Sequence, residues 1–264
     1  MATRDSYPTF MAGRPYILAE TNWKSVRDTR YDVAILPWGA TEAHNFHLPY
    51  GTDVIESDAV AAESARRAWE HGTRVLVLPC IPFGVNTGQL DIPFCMNMNP
   101  STQAAVLADV TSVLDAHGVG KLVILNGHGG NDFRLMIRER QPRVRLFLCT
   151  INWYACLDPK PFFDEPGDHA GELETSLVQH LTPNLVLPLS EAGDGRARRF
   201  AVAGLRDGWA WAPRRWTKVT EDTGVGNPKA ATPEKGAKYF DAVTERLAGF
   251  YAELAAADPE QLYA

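Results

Sequence analysis

Four side chains able to hold a metal ion or move a proton, Glu42, His44, His47 and Asp53, fall within twelve positions of the segment "PWGATEAHNFHLPYGTD" (37–53). Glu42 and His44 stand two apart, so an extended backbone sends both from the same face. Asp53, after the turn-like "LPYGT", can return a carboxylate to the same point. Farther along, His128 lies among glycines in "NGHGGN" (126–131), where the backbone can approach a ligand closely. Imidazole nitrogen and carboxylate oxygen without thiolate suit Zn, Mn or Fe(II) rather than a structural cysteine zinc site. The density of carboxylates points to two ions, because a bridging aspartate is a usual way to hold a close pair. Blander readings exist: Asp53 could cap a helix starting near Val54. His47 reads better as an orienting partner behind a ligand than as a ligand. His71, His117 and His180 read as surface or structural residues.

These residues need elements to carry them. "DVAILPWG" (32–39), "RVLVLPCIPFG" (74–84), "KLVILNG" (121–127) and "VRLFLCTINW" (144–153) read as buried strands closed by Gly, Pro or Asn. Helices are expected over 57–72, 101–118, 172–181 and 232–258, the last with Thr232 as N-cap and Pro233 in its first turn. The alternation predicts a single three-layer α/β/α domain, 1–264, on a mainly parallel sheet. Ligands of such sheets bind beyond the carboxyl ends of the strands. The Glu42–His44 cluster follows the first strand, His128 follows the third, and "DHAGELETS" (168–176) opens a helix after the fourth.

The 264 residues carry a net charge of −6, which argues against a nucleic-acid partner. No apolar run reaches the roughly 18 residues of a membrane span. Residues 1–16 lack the apolar core of a secretory leader. Cys80, Cys95, Cys149 and Cys156 form no C-x-x-C pair. A reduced, cytoplasmic protein is therefore expected. The segment 193–231, rich in Trp, Arg and Gly, breaks the rhythm. It reads as an irregular arm packing on the body or on a neighbouring subunit. Its Arg196, Arg198 and Arg199 could meet an anionic substrate or simply face solvent.

"GATEAHNFHLPYGTD", "NGHGGN" and "HAGELETS", in this order, together with "TGVGNPKAATPEKG" (223–236), resemble the creatininase (creatinine amidohydrolase) family. The resemblance covers most of the chain. It implies the three-layer fold, two divalent metals (Zn or Mn, with Fe possible), hydrolysis of an amide-type C–N bond in a small molecule, and a homo-oligomer, often a hexamer. By the same resemblance Glu42 and His128 would bind one metal, His44 the other, and Asp53 both. Creatininases proper read Gly-His-Tyr-Glu-Asn where this chain has "GHGGN", so Gly130 stands in place of a metal-binding glutamate. The chain looks like the branch in which the glutamate of "HAGE", here Glu172, supplies that ligand. Glu174 is expected to be structural or to support the ligands, since positions i and i+2 do not share a helix face. His169, just ahead of that helix, is the candidate for proton transfer or for holding the reacting carbonyl. A mononuclear Fe(II) oxygenase on His44, His128 and Glu42 is the rival from another class. A non-catalytic metal-binding scaffold is a third reading.

Overall fold

The computed structural model describes residues 13–263. The leader reading therefore falls mostly on residues outside the described ones. Four parallel strands, β1 (Val33–Trp38), β2 (Val75–Val77), β3 (Lys121–Asn126) and β4 (Phe147–Asn152), form a sheet in the order β2-β1-β3-β4. The helices, in chain order, begin with α1 (Trp23–Arg27), α2 (Thr52–Glu70), α3 (Pro100–Ala116) and α4 (Arg134–Arg140). They continue with α5 (Glu172–Leu181), α6 (Ala203–Arg206), α7 (Trp216–Val219) and α8 (Pro233–Ala256).

Strand alternation builds the three layers. Val33, Ile35, Val123 and Leu125 face one side and pack with Val60 of α2, Leu177 of α5 and Tyr239 of α8. Ala34, Leu36, Leu122 and Ile124 face the other side and pack with Leu107 and Leu114 of α3 and with Met136 and Ile137 of α4. Each fully buried branched side chain in these layers contributes about 1.5–3 kcal/mol. The ends of α8 are tied down as well. Thr232 accepts a bond from the Lys235 amide at 3.2 Å, while buried Lys121 donates to the carbonyls of Ala255 and Ala257 at 2.8 and 2.7 Å.

The sheet is shorter than the sequence suggests. The strand expected over 74–84 ends at Val77, because Pro79 and Pro82 cannot donate to a ladder. The helix expected from 57 begins at Thr52, so Asp53 lies in its first turn. The short α4 was not anticipated. Winding reverses between β1 and β3, which places a crevice at their carboxyl ends. Glu42 and His44 follow one of these strands and His128 follows the other. Among the described residues no helix is long and apolar enough to cross a membrane.

Candidate active site

The loop after β1 folds back on itself, with the Glu42 amide bonded to the Tyr50 carbonyl at 3.1 Å. Asn45 and Ala170, directly after His44 and His169, adopt positive φ of 53° and 51°. Non-glycine residues in that region are uncommon and concentrate where a side chain must be aimed.

Three imidazoles are anchored in the same manner. His44 Nδ1 donates to the Glu42 carbonyl at 3.2 Å, His128 Nε2 to the Val85 carbonyl at 3.1 Å, and His169 Nε2 to the Ala43 carbonyl at 2.9 Å. A carbonyl only accepts, so each bonded nitrogen carries the hydrogen and the other ring nitrogen presents a lone pair when the ring is neutral. Those free nitrogens all face carboxylates. His44 Nε2 is 2.9 Å from Asp53 Oδ1, and His128 Nδ1 is 3.0 Å from Asp53 Oδ2 and 2.9 Å from Glu42 Oε1. His169 Nδ1 is 3.8 Å from Glu42 Oε1.

Lone pair against lone pair is repulsive, so something cationic must lie between: extra protons or metal ions. With protons, burial, which lowers an imidazole, is outweighed by Asp53, and His44 is pushed up to about 10. His128 likewise rises well above its ordinary value against burial, under the charges of Glu42 and Asp53. His44 Nε2 and Asp53 Oδ2 are nevertheless buried without a hydrogen-bond partner. The donor set therefore fits divalent cations, with each histidine oriented by a backbone carbonyl as metal-ligating histidines usually are. Asp53 turns one oxygen to each of two histidines, and two groups of ligand-capable atoms meet on it. One is Glu42, Asp53 and His128; the other is His44, Asp53 and Glu174.

The second group corrects the expectation for Glu172, which does not reach the cluster. Glu172 is buried against Lys235 of α8 and accepts from the Glu165 amide at 2.8 Å. Helix phase explains the difference. Glu172 shares a face with Ser176, whose hydroxyl meets the Thr232 amide at the start of α8. Glu174 shares a face with Val178, which packs on Leu48 and Ala170 beside the ligand loop. The Glu174 carboxylate also accepts from the Ala170 amide. Nor does Gly130 merely lack a side chain. A Cβ there would lie 2.3 Å from the Val85 carbonyl and 2.5 Å from His128 Nε2, so the backbone closes that approach.

His47 does not touch the carboxylates. Its Nε2 meets the Thr175 hydroxyl at 2.9 Å, tying the loop to α5, and burial, helped by His44, lowers it to about 4. His169 stacks on His44 at 4.1 Å and meets the Trp216 ring at 4.7 Å. Burial, then the neighbouring His44, lowers it to about 4, so it is neutral near pH 7. Three contributors escaped the sequence reading: Gln89, which donates to Glu42, and Trp216 and Arg214 at the mouth. Arg214 lies over the Trp216 ring at 4.7 Å and pairs with Asp168. No motif marks these residues; only the unusual Trp/Arg density of the arm hinted at them.

The arm braces the site directly. Thr223 Oγ1 accepts from the Asn45 amide at 2.9 Å, and Val225 exchanges backbone bonds with His169 at 3.1 and 2.8 Å. The resulting cavity, about 890 Å³, is lined by Glu42, Asp53, His128, His169 and Glu174 at its floor and by Trp211 and Arg214 at its rim.

A family model described as creatininase, creatinine amidohydrolase, matches residues 19–251. A mycofactocin precursor peptide peptidase of Mycobacterium ulcerans (strain Agy99) is 28% identical over 226 residues, 83% of this chain and 84% of that protein. The creatinine amidohydrolase of Pseudomonas putida is 28% identical over 176 residues, 58% of this chain and 66% of that protein. Among solved structures, a provisionally assigned creatinine amidohydrolase from Bacteroides fragilis NCTC 9343 superposes with a TM-score of 0.88 at 45% identity. That match covers 95% of this chain and 99% of the other. A manganese form of creatininase matches with a TM-score of 0.77 at 23% identity, over 92% of this chain and 99% of the other, a likeness of fold.

Proposed function

The chain belongs to the creatininase family, and from that premise we propose a cytoplasmic amidohydrolase that holds two divalent cations, Mn²⁺ or Zn²⁺, and cleaves an amide-type C–N bond. The observation that carries this reading is Asp53, buried between His44 and His128 with one carboxylate oxygen toward each. Glu42 and His128 would complete one cation's ligands, and His44 and Glu174 the other's. Bound there, the cations would polarise an amide carbonyl and lower the pKa of water toward neutrality.

The chain's own residues do the rest. Asp53, Glu42 and Glu174 balance the cationic charge at the floor of the cavity. His169, neutral and held through Nε2 by Ala43, keeps Nδ1 free to take a proton and return it to the leaving nitrogen. Trp216 backs that ring and keeps water from its far face. A mononuclear iron site on Glu42, His44 and His128 would leave Asp53 and Glu174 without a role.

The substrate class is a lactam, formamide or peptide-like amide. Creatinine itself is disfavoured because Gly130 replaces a creatininase ligand and no side chain fits there. A cavity of about 890 Å³ favours a larger molecule, such as the end of a peptide, and peptidases are among the relatives.

The test is to strip the protein with a chelator, restore Mn²⁺ or Zn²⁺, and assay lactams, formamides and short peptides. Activity should vanish and return. The His169→Asn variant should retain its metal and lose about 10²–10⁴ in kcat. Full hydrolysis by protein shown to be metal-free would sink the proposal.

A further inference from the structure

We infer that Gln89 is a positioning residue that fixes the Glu42 carboxylate for metal binding, an inference that rests on the metal-dependent reading above. Gln89 lies on the short turn Thr87–Gln89 and is 1% exposed. Its amide nitrogen donates to Glu42 Oε2, while Glu42 Oε1 faces His128 Nδ1 at 2.9 Å. The two carboxylate oxygens are thus divided: one is held by protein, and the other is turned to the floor of the site.

The direction of the Gln89 amide is itself set. The Ala43 amide donates into Cys95 Sγ at 3.3 Å, and the Cys95 thiol donates to Gln89 Oε1 at 3.2 Å. With its oxygen engaged by a donor, the amide must present its NH₂ to Glu42, and an ionised carboxylate can only accept. Donors therefore run in one sense, from Ala43 through Cys95 and Gln89 to Glu42. Partners of this kind behind a metal-binding carboxylate hold its orientation and its basicity.

The turn that carries Gln89 is clamped by the arm. A Cβ on Gly88 would sit 2.2 Å from the Arg214 carbonyl and 3.0 Å from the Trp216 ring. Thr217 donates to Asp91 at 2.6 Å just beyond the turn. Removing the Gln89 amide leaves Glu42 Oε2 buried without a partner and free to rotate toward His128. That would weaken one cation position and leave the one nearer Glu174 intact.

The experiment is calorimetric titration of the chelator-stripped, full-length protein with MnCl₂ alone, for the parent, Gln89→Met and Gln89→Asn. The methionine keeps the volume without a donor. The asparagine keeps an amide one carbon too short, and stands in if the first variant does not fold. Folding is checked by melting of the stripped proteins. One of two binding steps should weaken about 10–100-fold and the other by less than about threefold. Cys95→Ser, which keeps a donor, should lie closer to the parent than Cys95→Ala. Both steps within twofold of the parent, or both weakened equally, would overturn the positioning role while leaving the metal reading intact. A parent that takes up no Mn²⁺ would overturn the metal reading and this inference with it.

Discussion

At His44 and His128 the charge state follows from what shares the space with Asp53. Without metal, His44, lifted to about 10, keeps its extra proton at pH 7, and His128 is raised in the same direction. A cation bound to these nitrogens must displace those protons. Metal uptake at pH 7 should therefore release protons, at least one per chain. Apparent affinity should rise as pH climbs from 6 towards about 10. Titrations in buffers of different ionisation enthalpy measure the proton count, and a count of zero would contradict the ligand assignment. Glu172 and Glu174 give a second test at this scale. Glu174→Gln should lower metal affinity by at least about 10-fold. Glu172→Gln should leave metal content unchanged and lower the melting temperature by about a few degrees, since it loosens the contact with Lys235 that joins α5 to α8. Metal analysis and thermal melts of the two variants decide the matter, and the reverse pattern would restore Glu172 to the site.

Elements decide which of these residues a sequence can reveal. Strands β1 and β3 were legible because burial on both faces makes each a nearly continuous apolar run, and the N-cap at Thr232 marks where α8 begins. Glu42, His44, Asp53 and His128 were legible because they follow strand ends or open a helix at the reversal of winding. Glu174 was not, because periodicity says that Glu172 and Glu174 diverge without saying which side of α5 meets the ligand loop. That choice is made by tertiary packing, where Gly236 of α8 lets the helix approach the Ser176 carbonyl on the Glu172 side. The closed backbone at Gly130 was illegible for a similar reason. A glycine in sequence does not disclose that Val85 lies against it. Gln89 sits on a turn with no period at all, and only the fold brings it under Glu42.

Across the whole molecule, the arm 193–231 has two sides. Its inner side covers the site through Trp216, which is buried against the body of the chain, one of the two placements the sequence leaves open for the arm. Its outer side leaves Trp209 and Trp211 at 81% and 85% exposure. We propose that these two exposed tryptophans are covered in a homo-oligomer, since large apolar side chains grouped on a surface are typical of association sites. Sedimentation at micromolar concentration should show an assembly, and Trp209→Ser with Trp211→Ser should shift it toward smaller species. A monomeric parent would contradict this. Whether two cations share Asp53 is read from anomalous diffraction by crystals grown with Mn²⁺. Two peaks roughly 3.5–4 Å apart are expected, flanking Asp53, one beside Glu42 and His128 and the other beside His44 and Glu174. A single peak, or a second ion held by Glu172 with Glu174 turned away, would contradict that arrangement.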